Sequence, residues 1–290
     1  MSVRSRRRPA SAYLFAAPFL ILFGGFVALP LLYGLVLSVF HWDMLSAAPP
    51  RFAGTDNYRE ALNDPYFWKA LAATGRFVGM AVPLTICVAL AIAVGIQGAS
   101  GRWQAYYRAA FYLPTVITIT VSGLLWRWFY NSEFGLFNAY LGKVGVKAPW
   151  ITDPEWAMFS LVLMSLWWTA GGPMVALLAG LQNIPVSFYE AAELDGATGW
   201  RRFSRITLPL LRPVLLFVVV MNVIGAFQVF GQVYIITRGG PEMSTRTMVQ
   251  YIYETAFNNY RMGYAAALSW LLFGIIALFS LLQFRLMREK

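Results

Sequence analysis

Acidic side chains are scarce in this sequence, and three of the thirteen fall close together: Glu190, Glu193 and Asp195. They belong to the segment NIPVSFYEAAELDGATGWRRFSRITLPLLRP, residues 183–213, where Arg201, Arg202, Arg205 and Arg212 follow them. Carboxylates and guanidiniums at this density, with small alanines between them, suit charge-paired docking of another surface rather than bond making. The rest of the inventory offers no catalytic cluster. The only histidine, His41, stands beside Trp42 and Asp43 and reads as a membrane-boundary residue. The only cysteine, Cys87, excludes an intramolecular disulfide and a cysteine-rich metal site, and reads as a small packing residue buried mid-span. With lysines only at 69, 143, 147 and 290, no Gly-x-x-x-x-Gly-Lys-Ser/Thr phosphate loop exists.

The acidic segment itself reads as two short helices around a turn. Ser187 and Glu190 have capping-box spacing. Phe188, Ala191, Ala192 and Leu194 form an apolar face at helical spacing. Asp195-Gly196 stops the first helix, because glycine adopts positive φ without strain. Thr198 caps the second, in which Trp200, Phe203 and Ile206 recur at three-residue steps, and Pro209 marks the entry to the next apolar run. Docking on a partner and lying on the chain's own membrane are the two uses open to such a loop.

The flanking elements are membrane spans. Of 290 residues, 59% are hydrophobic and only 12% charged, against about 25% charged in a soluble domain. That composition excludes a soluble enzyme, a disordered chain and a nucleic-acid-binding domain. Six segments, 13–40, 70–96, 109–130, 157–181, 208–236 and 264–284, reach the roughly 20 apolar residues that a bilayer core requires. The first is too long for a signal-peptide core and is read as a retained span. The expectation is an all-α integral membrane protein with six transmembrane helices: a basic N-terminus, 1–12, then one membrane domain, 13–290. With both termini cytoplasmic, the inner segments hold thirteen basic and four acidic residues, a net of +9, and the remainder nets +1. This asymmetry is the positive-inside signal.

No Asp or Glu lies within the six spans, so a carrier driven by an ion held on a membrane carboxylate is a poor second reading, and a membrane-embedded enzyme a third. Arg76 and Arg127 lie near span ends and are read as snorkelling to the interface. Pro18, Pro30, Pro83, Pro114, Pro173 and Pro213 fit kinked helices.

EAAELDGA, followed by ITLP ten residues after Gly196, resembles the "EAA" loop of permease subunits in binding-protein-dependent ATP-binding-cassette importers. FAGTDNYREALNDPYFWKAL, YYRAAFYLPTVITITVSGLLWRWFYNSEFGLFN, GAFQVFGQVYIITRGGPEMST and YIYETAFNNYRMGYAAALS resemble the sugar and glycerol-3-phosphate (maltose-type) branch, over nearly all of residues 12–287. The resemblance implies a permease in the inner or plasma membrane of a prokaryote, importing a sugar or a glycerol-phosphate-type solute. It implies a second permease, two cytoplasmic ATPase subunits and an extracytoplasmic binding protein as partners, lipid around the chain, and no nucleic acid. No cofactor is expected on this chain, ATP and Mg being used by the partner ATPase. It also implies a cytoplasmic coupling helix between spans 4 and 5, within the loop 183–209. There Glu190, Ala191, Ala192, Asp195, Gly196, Ala197, Leu208 and Pro209 correspond to the coupling motif. Aligned without gaps from FYEA and GGP, the sugar-contacting positions of maltose-type members fall on Ser165, Trp168, Thr169, Gly172, Asn222, Gly225, Ala226 and Val229. Trp168, Thr169 and Asn222, with Ser165 and the neighbouring Gln228, are the candidates for solute contact; packing and interhelix hydrogen bonding are the competing role for the same residues.

Overall fold

A computed structural model of the chain describes residues 10–46 and 48–288. The basic cluster Arg4, Arg6, Arg7 and Arg8 lies outside the described residues, as do Glu289 and Lys290. In chain order the elements are α1 (Ala10–Phe23), a π-turn (Gly24–Ala28), α2 (Leu29–Ser38), β1 (Phe40–His41), β2 (Arg51–Phe52), α3 (Asp56–Asn63) and α4 (Pro65–Gln97). Next come α5 (Gly101–Val116), α6 (Ile119–Phe129), α7 (Leu136–Leu141), α8 (Pro154–Thr169), α9 (Gly171–Gln182), α10 (Val186–Leu194) and α11 (Gly199–Arg202). A π-turn at Phe203–Thr207 leads into α12 (Leu208–Phe227), α13 (Gly231–Ile236) and α14 (Met248–Tyr253). The last elements are a π-turn at Glu254–Asn258 and α15 (Met262–Arg288).

Among the described residues, four stretches are long and apolar enough to cross a membrane unaided: Leu14–Ser38, Pro65–Gln97, Gly199–Ile236 and Met262–Arg285. Two expected spans are broken. The segment 109–130 is not one helix: α5 and α6 meet at 92°. Residues 115–121 read TVITITV, an unbroken run of β-branched side chains, which resist helical χ1 packing. There Ile117 and Thr118 adopt extended backbone, and the Thr118 hydroxyl accepts from Val121 N at 3.5 Å to start α6 afresh. The segment 157–181 bends by 50° between α8 and α9, at Ala170. The chain reaches six spans when each bent pair counts as one.

The backbone forms two compact units. One holds the described residues up to Asn63 together with Ile252–Leu271. Its first apolar span widens into the π-turn just ahead of Pro30, whose ring removes a donor and crowds the carbonyl four residues back. Asn57, fully buried, donates its Nδ2 to Ser38 O at 2.9 Å and Phe40 O at 3.0 Å, satisfying carbonyls where α2 ends.

The second unit holds Asp64–Tyr251 and the residues from Leu272 onward. Its axis is α4, started by Asp64, whose carboxylate accepts from Tyr66 N at 2.8 Å, with Pro65 in the first turn. One apolar cluster gathers Ala73, Phe77, Trp126, Tyr130, Leu161 and Val233; a second gathers Ala89, Ala93, Met174, Leu177, Leu211 and Val218. Cys87 departs from expectation: it is exposed on α4. Arg76 and Arg127 do more than snorkel. They donate to main-chain carbonyls, Arg76 to Ser244 O at 3.1 Å and Arg127 to Ile235 O at 3.4 Å.

Candidate functional site

Helix breaks leave backbone groups without intrahelical partners, and side chains must supply them. At the α5–α6 break the Ile117 carbonyl is such a group, and Trp168 of α8 donates its indole N–H to it at 2.9 Å. One turn earlier on α8, Ser165 receives a bond on its hydroxyl from Gln232 Nε2 at 3.3 Å. The Ser165 carbonyl accepts from the Thr169 hydroxyl at 2.8 Å. Between α12 and α13 the backbone leaves the helix over Gln228–Phe230, the third interruption.

These breaks surround a cavity of about 480 Å³. All five candidate solute residues line it: Ser165, Trp168, Thr169, Asn222 and Gln228. Gly225, Ala226 and Val229 line it as well, whereas Gly172 is not among the lining residues. Phe77, Trp168 and Phe230 supply aromatic surface. Among the described residues, no Asp, Glu, Lys, Arg or His lines the cavity. Asn222 gives its Nδ2 to Val218 O at 2.8 Å, which leaves its carbonyl oxygen for an incoming donor. The Gln228 amide is exposed and makes no hydrogen bond to the described residues. Thr85 and Gln232 are polar lining residues that sequence reasoning missed, although an amide inside the apolar run 229–236 was a usable signal.

The acidic loop is built differently from its sequence reading. Helix α10 starts at Val186 with Pro185 as N-cap, so Ser187 lies inside the helix and makes no capping box with Glu190. Proline fixes the entry angle first, and its carbonyl already accepts from Phe188 N at 3.2 Å. Thr198 does stand at the N-cap of α11, but without a side-chain cap bond. The stop is where it was expected. Gly196 takes φ +71°, its N–H bonds Glu193 O at 3.0 Å, and Ala197 N bonds Ala192 O at 2.8 Å. This pair of bonds is a Schellman motif.

Around that stop, Ala192 is 5% exposed and Leu194 is 91% exposed, so Leu194 faces away from the chain rather than joining an internal face. Glu190, Ala191 and Asp195 are exposed, Ala197 is half-buried, and Leu208 and Pro209 are exposed in the first turn of α12. Arg202 ties the two short helices together. It bonds Glu193 at 2.8 Å and sits over the Tyr189 ring at 5.6 Å, and Tyr189 shares a hydrogen bond with the Thr207 hydroxyl at 3.2 Å. Glu190 makes no ion pair or hydrogen bond through its side chain to the described residues.

Residues 77–288 match the family model described as binding-protein-dependent transport system inner membrane component. The probable ABC transporter permease protein YesP of Bacillus subtilis (strain 168) is 38% identical over 286 residues, 97% of this chain and 91% of the relative. The lactose transport system permease protein LacF of Rhizobium radiobacter is 35% identical over 285 residues, 97% of this chain and 95% of the relative. A chain in the crystal structure of a bacterial alginate ABC transporter, in complex with alginate pentasaccharide-bound periplasmic protein, superposes with a TM-score of 0.81. It covers 96% of this chain and 93% of that one at 22% identity, so the shared property is the fold.

Proposed function

The chain belongs to the binding-protein-dependent transport system inner membrane components, and on that premise we propose that it forms one half of the translocation pathway for an uncharged sugar. It is a permease subunit of an ABC importer in the cell membrane and not itself an enzyme. In the proposed assembly a second permease completes the pathway, two cytoplasmic ATPases bind and hydrolyse ATP with Mg, and an external binding protein delivers the solute. Six spans with both termini cytoplasmic put the loop 183–209 on the side of the ATPases.

One observation carries the solute reading: the cavity combines aromatic faces with amides and hydroxyls and, among the described residues, has no ionisable lining. A pyranose stacks its C–H face on an aromatic ring and exchanges hydrogen bonds with neutral polar groups, and a pocket of a few hundred Å³ suits a ligand of that size. A glycerol phosphate or a uronate would place a fixed negative charge there without a cation from this chain, at a desolvation cost of several kcal/mol. A coupling cation would equally lack a carboxylate, and the ion-driven alternative has no other support. The lactose system of LacF agrees with a sugar.

The loop is proposed to dock on an ATPase through Glu190, Ala191 and Asp195, which are exposed. Ala192, Gly196 and Ala197 build the turn that presents them, and Leu208 and Pro209 join it to α12. The decisive experiment reconstitutes the permease pair, the ATPases and the binding protein in vesicles and measures ATP hydrolysis with a panel of solutes. Stimulation by neutral mono- or oligosaccharides is expected; stimulation by phosphorylated or carboxylated solutes alone overturns the reading.

A further inference from the structure

The extended chain after the first span brings four ionisable side chains to one face. His41 and Arg51 are directly opposed in the antiparallel β1–β2 ribbon, and Asp43 forms an antiparallel bridge with Arg261. Cross-strand partners share a face, as do residues two apart on extended backbone. His41, Asp43, Arg51 and Arg261 therefore converge, and all four line a cavity of about 350 Å³. None of them lines the solute cavity, so the site is independent of the sugar reading.

Two groups in this second cavity, Arg51 and Asp43, are incompletely used. Arg51 is exposed and makes no ion pair or hydrogen bond to the described residues, while Arg261 also holds Glu60 at 2.7 Å. The Asp43 carboxylate accepts from Leu45 N at 2.9 Å through one oxygen, leaving the other for a further donor. Asn57 lines the cavity too. It is fully buried with both N–H bonds spent on Ser38 O and Phe40 O, and its Oδ1 accepts nothing from the described residues.

Position narrows the ligand. The cavity opens just past Ser38, where the 25-residue apolar span Leu14–Ser38 ends, and the most apolar window of that span has none of its residues buried in the chain. Two guanidiniums suit a phosphodiester, and a carboxylate suits an ammonium. We propose that this cavity binds the headgroup of a phosphatidylethanolamine from the leaflet at that end of the span. Arg51 and Arg261 hold the phosphate, and Asp43 takes the ammonium.

The test is native mass spectrometry of the full-length chain in detergent, titrated with dihexanoyl phosphatidylethanolamine, dihexanoyl phosphatidylglycerol and inorganic phosphate. One phosphatidylethanolamine is expected to bind about tenfold more tightly than phosphatidylglycerol, with no displacement by phosphate at equal concentration. Arg51→Gln, at an exposed position whose loss circular dichroism and gel filtration should not register, is expected to weaken retention about tenfold, and Arg51→Lys to restore most of it. Asp43→Asn is expected to erase the preference for the ammonium headgroup while phosphatidylglycerol still binds. Wild-type retention by Arg51→Gln, equal affinity for the two lipids, or displacement by phosphate alone (a free-anion site) each overturns the proposal.

Discussion

Trp168 holds two roles that substitution can separate. Its indole N–H is committed to the carbonyl freed at the α5–α6 break, while its ring lines the solute cavity. Trp168→Phe keeps a ring and removes the donor. It should lower thermal stability by about 1 kcal/mol and leave sugar-stimulated ATP hydrolysis within about twofold. Trp168→Ala should cost about tenfold in transport, since a lost stacking contact is worth about 1.4 kcal/mol. If Phe and Ala reduce transport equally, the residue acts only as a staple. Glu190 is the opposite case. With no capping bond and no partner within the described residues, Glu190→Ala should change the stability of this chain by less than about 0.5 kcal/mol. Association with the ATPase should weaken by about 2–5 kcal/mol, read as uptake lost while ATP hydrolysis by the assembled ATPase persists. Normal uptake by that variant would sink the docking role. The residue types at the site were legible because amides, hydroxyls and a tryptophan stand out in apolar runs. Their partners were not, because Ile117 and Trp168 are 51 positions apart and no local pattern joins them.

Elements were legible by length and misjudged at their joints. A run of some 20 apolar residues announces a span, but its length carries no mark of where it bends. The sharpest bend follows Pro114 by three residues and coincides with the β-branched run 115–121. Likewise Ser187 had the spacing of a cap, yet Pro185 set the helix entry first. Burial was expected for Cys87 because the letters of a span do not tell covered positions from uncovered ones. The stop at Gly196 was readable, since φ +71° there suits glycine. Gly196→Ala should cost about 1–2 kcal/mol locally and misdirect Asp195, which limited proteolysis of the loop would register as faster cleavage. The α8–α9 bend makes a tighter demand. A Cβ on Gly171 would meet Phe111 O at 2.8 Å and Tyr112 Cα at 2.9 Å, both backbone atoms of α5. Gly171→Ala should therefore destabilise the protein by roughly 1–3 kcal/mol, seen as a lower Tm in detergent, while Gly172→Ala, with open space around it, should not.

Across the whole molecule, charge is unevenly divided along the sequence: +9 on the segments assigned inside against +1 elsewhere. A single native cysteine makes that assignment easy to check. In a Cys87→Ser background, cysteines at Glu133 and Lys147 should react with a membrane-impermeant maleimide on intact cells, and cysteines at Glu193 and Arg201 only after permeabilisation. Reversed labelling would overturn the topology and remove the loop 183–209 from the ATPases. A last consequence concerns α4. Its 33 residues make a rod of about 50 Å, well beyond a hydrocarbon core of about 30 Å. Near one end Thr74 and Arg76 grip the backbone of Met248 and Ser244; at the other, Gln97 grips Leu181 O and borders a cavity shared with Tyr189 and Arg202. A beam fastened at both ends carries a tilt imposed at one end to the other, and Pro83, inside the helix between the two fastenings, is a place where it can flex.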